Sequence, residues 1–219
     1  MSRFRYVVRQ ALFTRGPHTY DVHWSVANTA VFEGVLPFDE LRRRAVALPR
    51  IAEDARGLSL VDALLLACVH RVAHHHDSDR LIWLCDIALL RDRMTVEEHQ
   101  EFWEIAAERR IVGICERAAG LADEWMSRPR RHRAEDYLPA IRRDEPSRVL
   151  MNRRITRGGV LAANLRALPW RLRARRVWQL AFPPPSFIRR SFGTRSTLAL
   201  PWLYVYRGAR GIARLVRRV

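Results

Sequence analysis

Residues 19–26, TYDVHWSV, alternate in character along the chain. Tyr20, Val22, Trp24 and Val26 share one face, and Thr19, Asp21, His23 and Ser25 share the other, the period-two pattern of a β-strand. Upstream, FRYVVRQALFTR (4–15) is a second β-rich run, and Gly16-Pro17 between the two supplies turn chemistry. The pattern predicts a hairpin with Asp21 on the returning strand. An unbroken polar row on a strand faces water, a cleft or a metal, and a solvated edge is the simplest of these.

From residue 57 the period changes to that of helices. In GLSLVDALLLACVHRVAHHH (57–76), Ser59 with Asp62 three residues on forms a capping box before a long apolar run, which predicts a largely buried helix. SDRLIWLCDIALLRDR (78–93) begins at a Ser or Asp cap and places Leu81, Leu84, Cys85, Ala88 and Leu89 on an inward face. TVEEHQEFWEIAAERR (95–110) opens on a second capping box, Thr95 with Glu98. IVGICERAAGLADEWM (111–126) follows with Ile111, Ile114, Cys115, Ala118 and Leu121 inward. Together they predict a four-helix unit behind the hairpin.

Pro129 then breaks the pattern, and SRPRRHRAEDYL (127–138) is polar and Arg-rich, which sets a boundary between residues 1–126 and a helical region 127–219. The last segment, 196–219, mixes aromatics with arginines. It reads either as a terminal helix docked on the core with solvated arginines or as a helix at a membrane interface. Pro201 and two glycines weaken the second reading.

Charge sharpens this division. The chain of 219 residues carries a net charge of +16. Residues 1–125 hold 16 Arg against 19 acids, whereas 126–219 hold 23 Arg against 4. All basic residues are Arg and none is Lys, so position is more informative than residue type. A block of this density attracts phosphates, anionic lipid headgroups or an acidic partner. Cys68, Cys85 and Cys115 are odd in number, lack CxxC spacing and lie in apolar helical runs, which predicts reduced thiols. The N-terminus has no apolar segment ahead of a cleavage site and no tract is long enough to span a bilayer, so a cytoplasmic location is expected.

Several side chains are candidates for chemistry. His70 and His74 lie four apart on one helix face, with His75, His76, Asp77 and Asp79 close by. The run lacks the Glu of H-E-x-x-H and a third ligand spaced for zinc, which favours a core pair or a cleft-lining pair. Asp86 follows an apolar stretch and is expected to be partly buried, paired with Arg80, His70 or His74, or else to contact a ligand. Trp83 reads as core before stacking platform, and Asp77-Ser78-Asp79 as a helix cap.

The order of these motifs, a hydrophobic-Asp-hydrophobic-His-Trp strand, then His70 and His74, then LIWLCDIA (81–88), resembles an uncharacterised bacterial nucleotidyltransferase family of the polymerase-β-like fold, matching its C-terminal part. PWRLRARRVWQLAFPPPSFIRRSFG (169–193) is similar to the tail of such proteins. The resemblance implies an α+β, mostly helical chain: a short N-terminal hairpin from a truncated nucleotidyltransferase fold, a four-helix unit and an Arg-rich helical tail. It also implies metal-dependent transfer of a nucleotidyl group from a nucleoside triphosphate, with Mg²⁺ held by carboxylates. Asp21 then takes the position of the third, catalytic and metal-binding carboxylate. His23, His70, His74 and Asp86 become candidates for nucleotide binding.

The Gly-Ser turn and strand-borne D-x-D of that fold do not precede Asp21, and one carboxylate cannot hold two magnesium ions. Three expectations follow: a start placed too far downstream, a separate protein supplying the rest of the site, or a chain that has lost catalysis. The competing reading is a non-catalytic module whose basic C-terminal region contacts an acidic partner, nucleic acid or a membrane surface.

Overall fold

The computed structural model describes residues 10–23, 25–27, 29–75, 77–141, 144–152 and 154–215, with the side chains of 10–12, 21 and 23 outside that description. It divides into two compact units, Met1–Arg153 and Arg154–Val219. Taken separately, they form an α+β chain dominated by helices, with a short antiparallel hairpin near the start.

The hairpin turns where Gly16 adopts φ +58, a left-handed conformation that costs glycine nothing. Strands β1 (Gln10–Arg15) and β2 (His18–His23) pair antiparallel, with Phe13 opposite Tyr20 and Leu12 opposite Asp21. Trp24, expected on the apolar face, lies outside the described residues. Phe13, Tyr20 and Val22 remain about half exposed. The face that alternation marked as apolar is therefore left uncovered. A two-stranded ribbon of this kind is marginal by itself and relies on neighbouring contacts for its stability.

Between hairpin and helices, a 3₁₀ turn at Ala30–Phe32, helix α1 (Phe38–Arg44) and a two-residue ladder of β3 (Val46–Ala47) with β4 (Arg56–Gly57) bridge the gap. Phe32, Val35, Leu36 and Leu41 of this segment are buried. Short elements of this kind carry too little periodicity to be read from sequence.

The expected four-helix unit is present. Helices α2 (Leu60–Ala73), α3 (Leu81–Arg93), α4 (Val96–Glu108) and α5 (Val112–Trp125) pack together, with α2 and α5 both against α3. Thr95 and Glu98 form the predicted capping box in full: the Thr95 hydroxyl accepts from the Glu98 N–H, and the Glu98 carboxylate accepts from the Thr95 N–H. Ser59 accepts from the Asp62 N–H at 3.1 Å, and the Asp62 carboxylate accepts from the Ser59 hydroxyl at 3.0 Å while forming a bidentate ion pair with Arg44. Helix α3 departs from expectation at its start, where Arg80 is the N-cap and no side chain caps it.

Helix α3 also departs in its inward face. Leu84, Ile87 and Ala88 are buried, whereas Leu81 and Leu89 are exposed. The helix is apolar around most of its circumference, so spacing alone did not identify the covered side. The thiols of Cys68 and Cys115 are buried and that of Cys85 half-buried, all of them free. Burial and the neighbouring Cys68 push the Cys115 thiol well up, which keeps it unreactive.

Residues beyond Pro129 were expected to begin a separate region, yet the chain up to residue 152 folds onto the helices. The Trp103 indole donates to the His132 carbonyl at 2.9 Å, and Arg91 donates to the Arg131 carbonyl at 2.6 Å. Helix α6 (Ala134–Tyr137) and a 3₁₀ segment at Pro146–Met151 follow, and the Gly113 N–H donates to Glu145 at 2.8 Å. A Cβ at Gly113 would lie 2.9 Å from that carboxylate oxygen, so a larger residue there would oblige the Glu145 side chain to shift.

Within this packing His99 on α4 is buried, and its ring stacks on His132 with centroids 4.0 Å apart. Burial, followed by the charges of His132 and Arg91, lowers His99 from 6.5 to about 4. Between those values the unfolded chain binds a proton that the folded chain refuses. Stability is therefore complete above about 6.5 and declines as pH falls toward about 4. Urea midpoints measured across this window should fall with pH, and His99→Gln should remove part of the slope. An identical slope in the variant would assign the acid sensitivity to other groups.

The second unit holds α7 (Arg157–Ala167), capped by Thr156, then α8 (Trp170–Ala181), α9 (Pro185–Phe192) and α10 (Leu200–Leu215). Helix α10 packs on α7 and α9. Pro183 and Ile188 are buried within this unit.

Candidate functional groove between α2 and α3

The last turn of α2 and its C-cap project His70 and His74 to the same side, their ring centroids 4.7 Å apart and tilted. His75 meets His70 edge-on at 4.8 Å and stacks on Trp83 at 3.7 Å, with the Arg80 guanidinium 5.3 Å from the indole centroid. Trp83 is thus half-buried in a ladder of rings at the α2–α3 connection and is not enclosed in the core. Stacking and cation–π contacts of this type hold planar groups in register.

His70, His74 and Asp86 line one groove between α2 and α3, with a volume of about 860 Å³. Its floor is apolar, from Ala63, Leu66 and Ala67 on α2 and Leu89 and Leu90 on α3. Val26, just past the end of β2, closes one wall. The hairpin's exit therefore reaches the cavity, although the side chains of Asp21 and His23 lie outside the described residues. An apolar floor with a few convergent polar groups, at a volume within about 300–1,000 Å³, is the usual form of a small-molecule site.

Asp86 is exposed, contrary to the partial burial expected, and it makes no hydrogen bond or ion pair among the described residues. Helical geometry explains this: residue 86 lies between the exposed positions Ile82 and Leu89, on the side of α3 away from Leu84, Ile87 and Ala88. Arg93 also lines the groove, two turns further along this face. The spacing from 86 to 93 is visible in the sequence, but Arg93 falls among the other terminal charges of α3, Arg91 and Asp92, so spacing alone does not distinguish it as a groove residue.

Asp77, expected as a helix cap, is fully buried at φ +59. Its carboxylate lies 2.6 Å from the Arg71 guanidinium as an ion pair and accepts from Arg117 at 2.5 Å, and its N–H donates to the Arg71 carbonyl at 3.2 Å. Arg117 comes from α5, forty residues away in sequence, so no local pattern could have indicated this pairing. A second cavity of about 480 Å³ against α5 is lined by arginines including Arg117, Arg130 and Arg148, along with Glu116 and Asp123, and by none of Asp21, His23, His70, His74 and Asp86.

Magnesium requires an oxygen-rich set of ligands. Among the described residues no three His, Cys, Asp or Glu side chains converge on a metal position. The groove itself offers two imidazoles, one carboxylate and the guanidinium of Arg93. These residues do not fit a magnesium site by themselves.

No curated protein and no solved structure matches the chain. A family model described as an uncharacterised nucleotidyltransferase matches residues 5–127, which covers the hairpin and the four helices and more than half of the chain. The chain belongs to this uncharacterised nucleotidyltransferase family.

Proposed function

We propose that the α2–α3 groove binds the nucleotide or the acceptor in a nucleotidyl-transfer reaction. The observation that carries this reading is the convergence of His70, His74, Asp86 and Arg93 around one apolar cavity in a chain of that family. The apolar floor suits the face of a base. Asp86, lacking a protein partner among the described residues, is placed to accept from an amino or hydroxyl group, and the fork of Arg93 suits a phosphate oxygen or a carboxylate.

In this reading the groove binds and orients, and its apolar floor keeps water from one face of the ligand. The metal-dependent step belongs with carboxylates beyond those described, with Asp21 as this chain's contribution and a separate protein as one source of the others. Magnesium, when bound by those carboxylates, would supply charge neutralisation of the triphosphate. Activity of this chain alone is not required by the proposal; binding is.

Isothermal titration with ATP, GTP, CTP and UTP in the presence of Mg²⁺ tests it. At least one nucleotide should give saturable heat, and Asp86→Asn should weaken it about tenfold, the loss of one charge-assisted hydrogen bond. Asp21→Asn should weaken the Mg²⁺-dependent part of that binding. Since Asp86 is exposed, its variant should unfold at the same urea concentration as the native chain. No heat with any nucleotide from folded protein would remove the nucleotide from the proposal.

A further inference from the structure

The second unit, residues 154–219, contains fifteen arginines and no Asp, Glu or Lys. Its charge is therefore of one sign throughout. Within it, α10 has two distinct sides. On the inner side the Tyr204 hydroxyl donates to the Pro183 carbonyl, Arg207 donates to the Leu180 carbonyl at 2.7 Å, and the Leu215 backbone closes on Gly158 of α7. On the other side Trp202, Val205, Ala209 and Ile212 recur at alternating three- and four-residue spacing, with Leu198 in the turn before them. The large members of this stripe are markedly exposed: Leu198 91%, Trp202 71%, Val205 65% and Ile212 72%.

Helical geometry places Pro201, Ala213 and Tyr206 on the margins of the same stripe, so the exposed arc of α10 is apolar across more than a third of its circumference. Arg210 and Arg214 follow along one border, and the Arg210 guanidinium lies 5.7 Å from the Tyr206 ring centroid. Helix α8 repeats the arrangement. Trp170, Val177 and Trp178 are exposed on one stripe, with Arg171, Arg173 and Arg175 exposed beside it. The inner side of α10 is covered by α7 and α9, whereas the apolar stripe on its other side is not covered.

We propose that this unit docks on an anionic lipid surface, with the Trp202–Ile212 stripe of α10 entering the interfacial region and the flanking arginines paired with headgroup phosphates. Three observations select this occupant. The charge is complementary to an anionic leaflet. Tryptophan and tyrosine beside aliphatic side chains match the composition of helices that lie in the membrane interface. Val205, Ile212 and Leu198 present aliphatic groups, which neither stack on bases nor bind phosphate, so a nucleic acid leaves the stripe unused. No helix among the described residues is long and apolar enough to cross a membrane, so contact is lateral.

Flotation of the full chain with phosphatidylcholine vesicles, with and without about a quarter phosphatidylglycerol, tests the proposal. The chain should float with anionic vesicles and remain behind with neutral ones. Val205→Asp and Ile212→Asp, both at exposed positions, should each lower partitioning about tenfold without shifting the urea midpoint. Failure to float with anionic vesicles overturns the proposal. So does flotation that neither variant weakens and that a generic oligonucleotide abolishes, since the surface would then be a purely electrostatic one for nucleic acid. Self-association that Val205→Asp disrupts, without flotation, would assign the stripe to a second copy and also overturn it.

Discussion

Asp77→Asn should destabilise the first unit by about 3–5 kcal/mol, the range for leaving a buried charge without its partner. Asp77 and Arg71 are both buried, and the carboxylate also receives Arg117 from α5. Removing the negative charge leaves the Arg71 guanidinium enclosed between helices without compensation. Asparagine is the informative replacement because it tolerates the left-handed φ of +59 about as well as aspartate, so the measured loss reports charge rather than backbone strain. Since domains are stable by only about 5–15 kcal/mol, the variant should be populated in unfolded form at mild denaturant. Arg71→Met in the Asp77→Asn background should recover much of the loss, because an apolar side chain of similar length carries no charge to bury. Urea unfolding of the native chain, the single variant and the double variant checks this. A loss below about 1 kcal/mol for Asp77→Asn, the level of an exposed pair, would show that the pairing contributes little.

Filling the α2–α3 groove should have the largest effect on binding. Ala67 lines the floor between His70 and Ala63, where the absence of a larger side chain leaves the cavity open. Ala67→Phe places a ring in space proposed for the base, and nucleotide affinity should fall about a hundredfold, about 2.7 kcal/mol. The side chain extends into a cavity and not into packed atoms, so the urea midpoint should change little. Isothermal titration and unfolding on the same preparation separate these effects. Unchanged affinity in a folded variant would place the nucleotide elsewhere.

What could be read from sequence follows the range over which each signal acts. The helices α2, α4 and α5 were legible because caps and apolar spacing are local: Ser59, Thr95 and Glu98 all act within one turn. The hairpin was legible through Gly16-Pro17, though not the exposure of Tyr20 and Val22, since alternation marks which residues share a face and not whether anything covers it. Helix α3 shows the limit of periodicity. A segment apolar on most sides does not identify its inward face, so Leu89 was misassigned to the core and Asp86 to partial burial.

The candidate groove was partly legible. His70 and His74 were recognisable as a pair four residues apart, and Asp86 through the motif around it, but that α2 and α3 turn these groups toward one cavity depends on packing. Arg93 joined them for the same reason. Asp77 was invisible as a hub because its partner Arg117 is brought in by the docking of α5. The later division of the chain, after residue 153, likewise rests on tertiary hydrogen bonds such as Trp103 to His132 that a proline and a run of arginines do not predict.

The most direct measurement is photo-crosslinking of the full chain with azido derivatives of adenine, guanine, cytosine and uracil nucleotides in Mg²⁺, followed by mass spectrometry of the labelled peptides. The account predicts saturable labelling within Leu60–Ala73 or Leu81–Arg93, displaced by unlabelled nucleotide and lost in Ala67→Phe. Labelling confined to residues 154–219, or none that unlabelled nucleotide displaces, would contradict it.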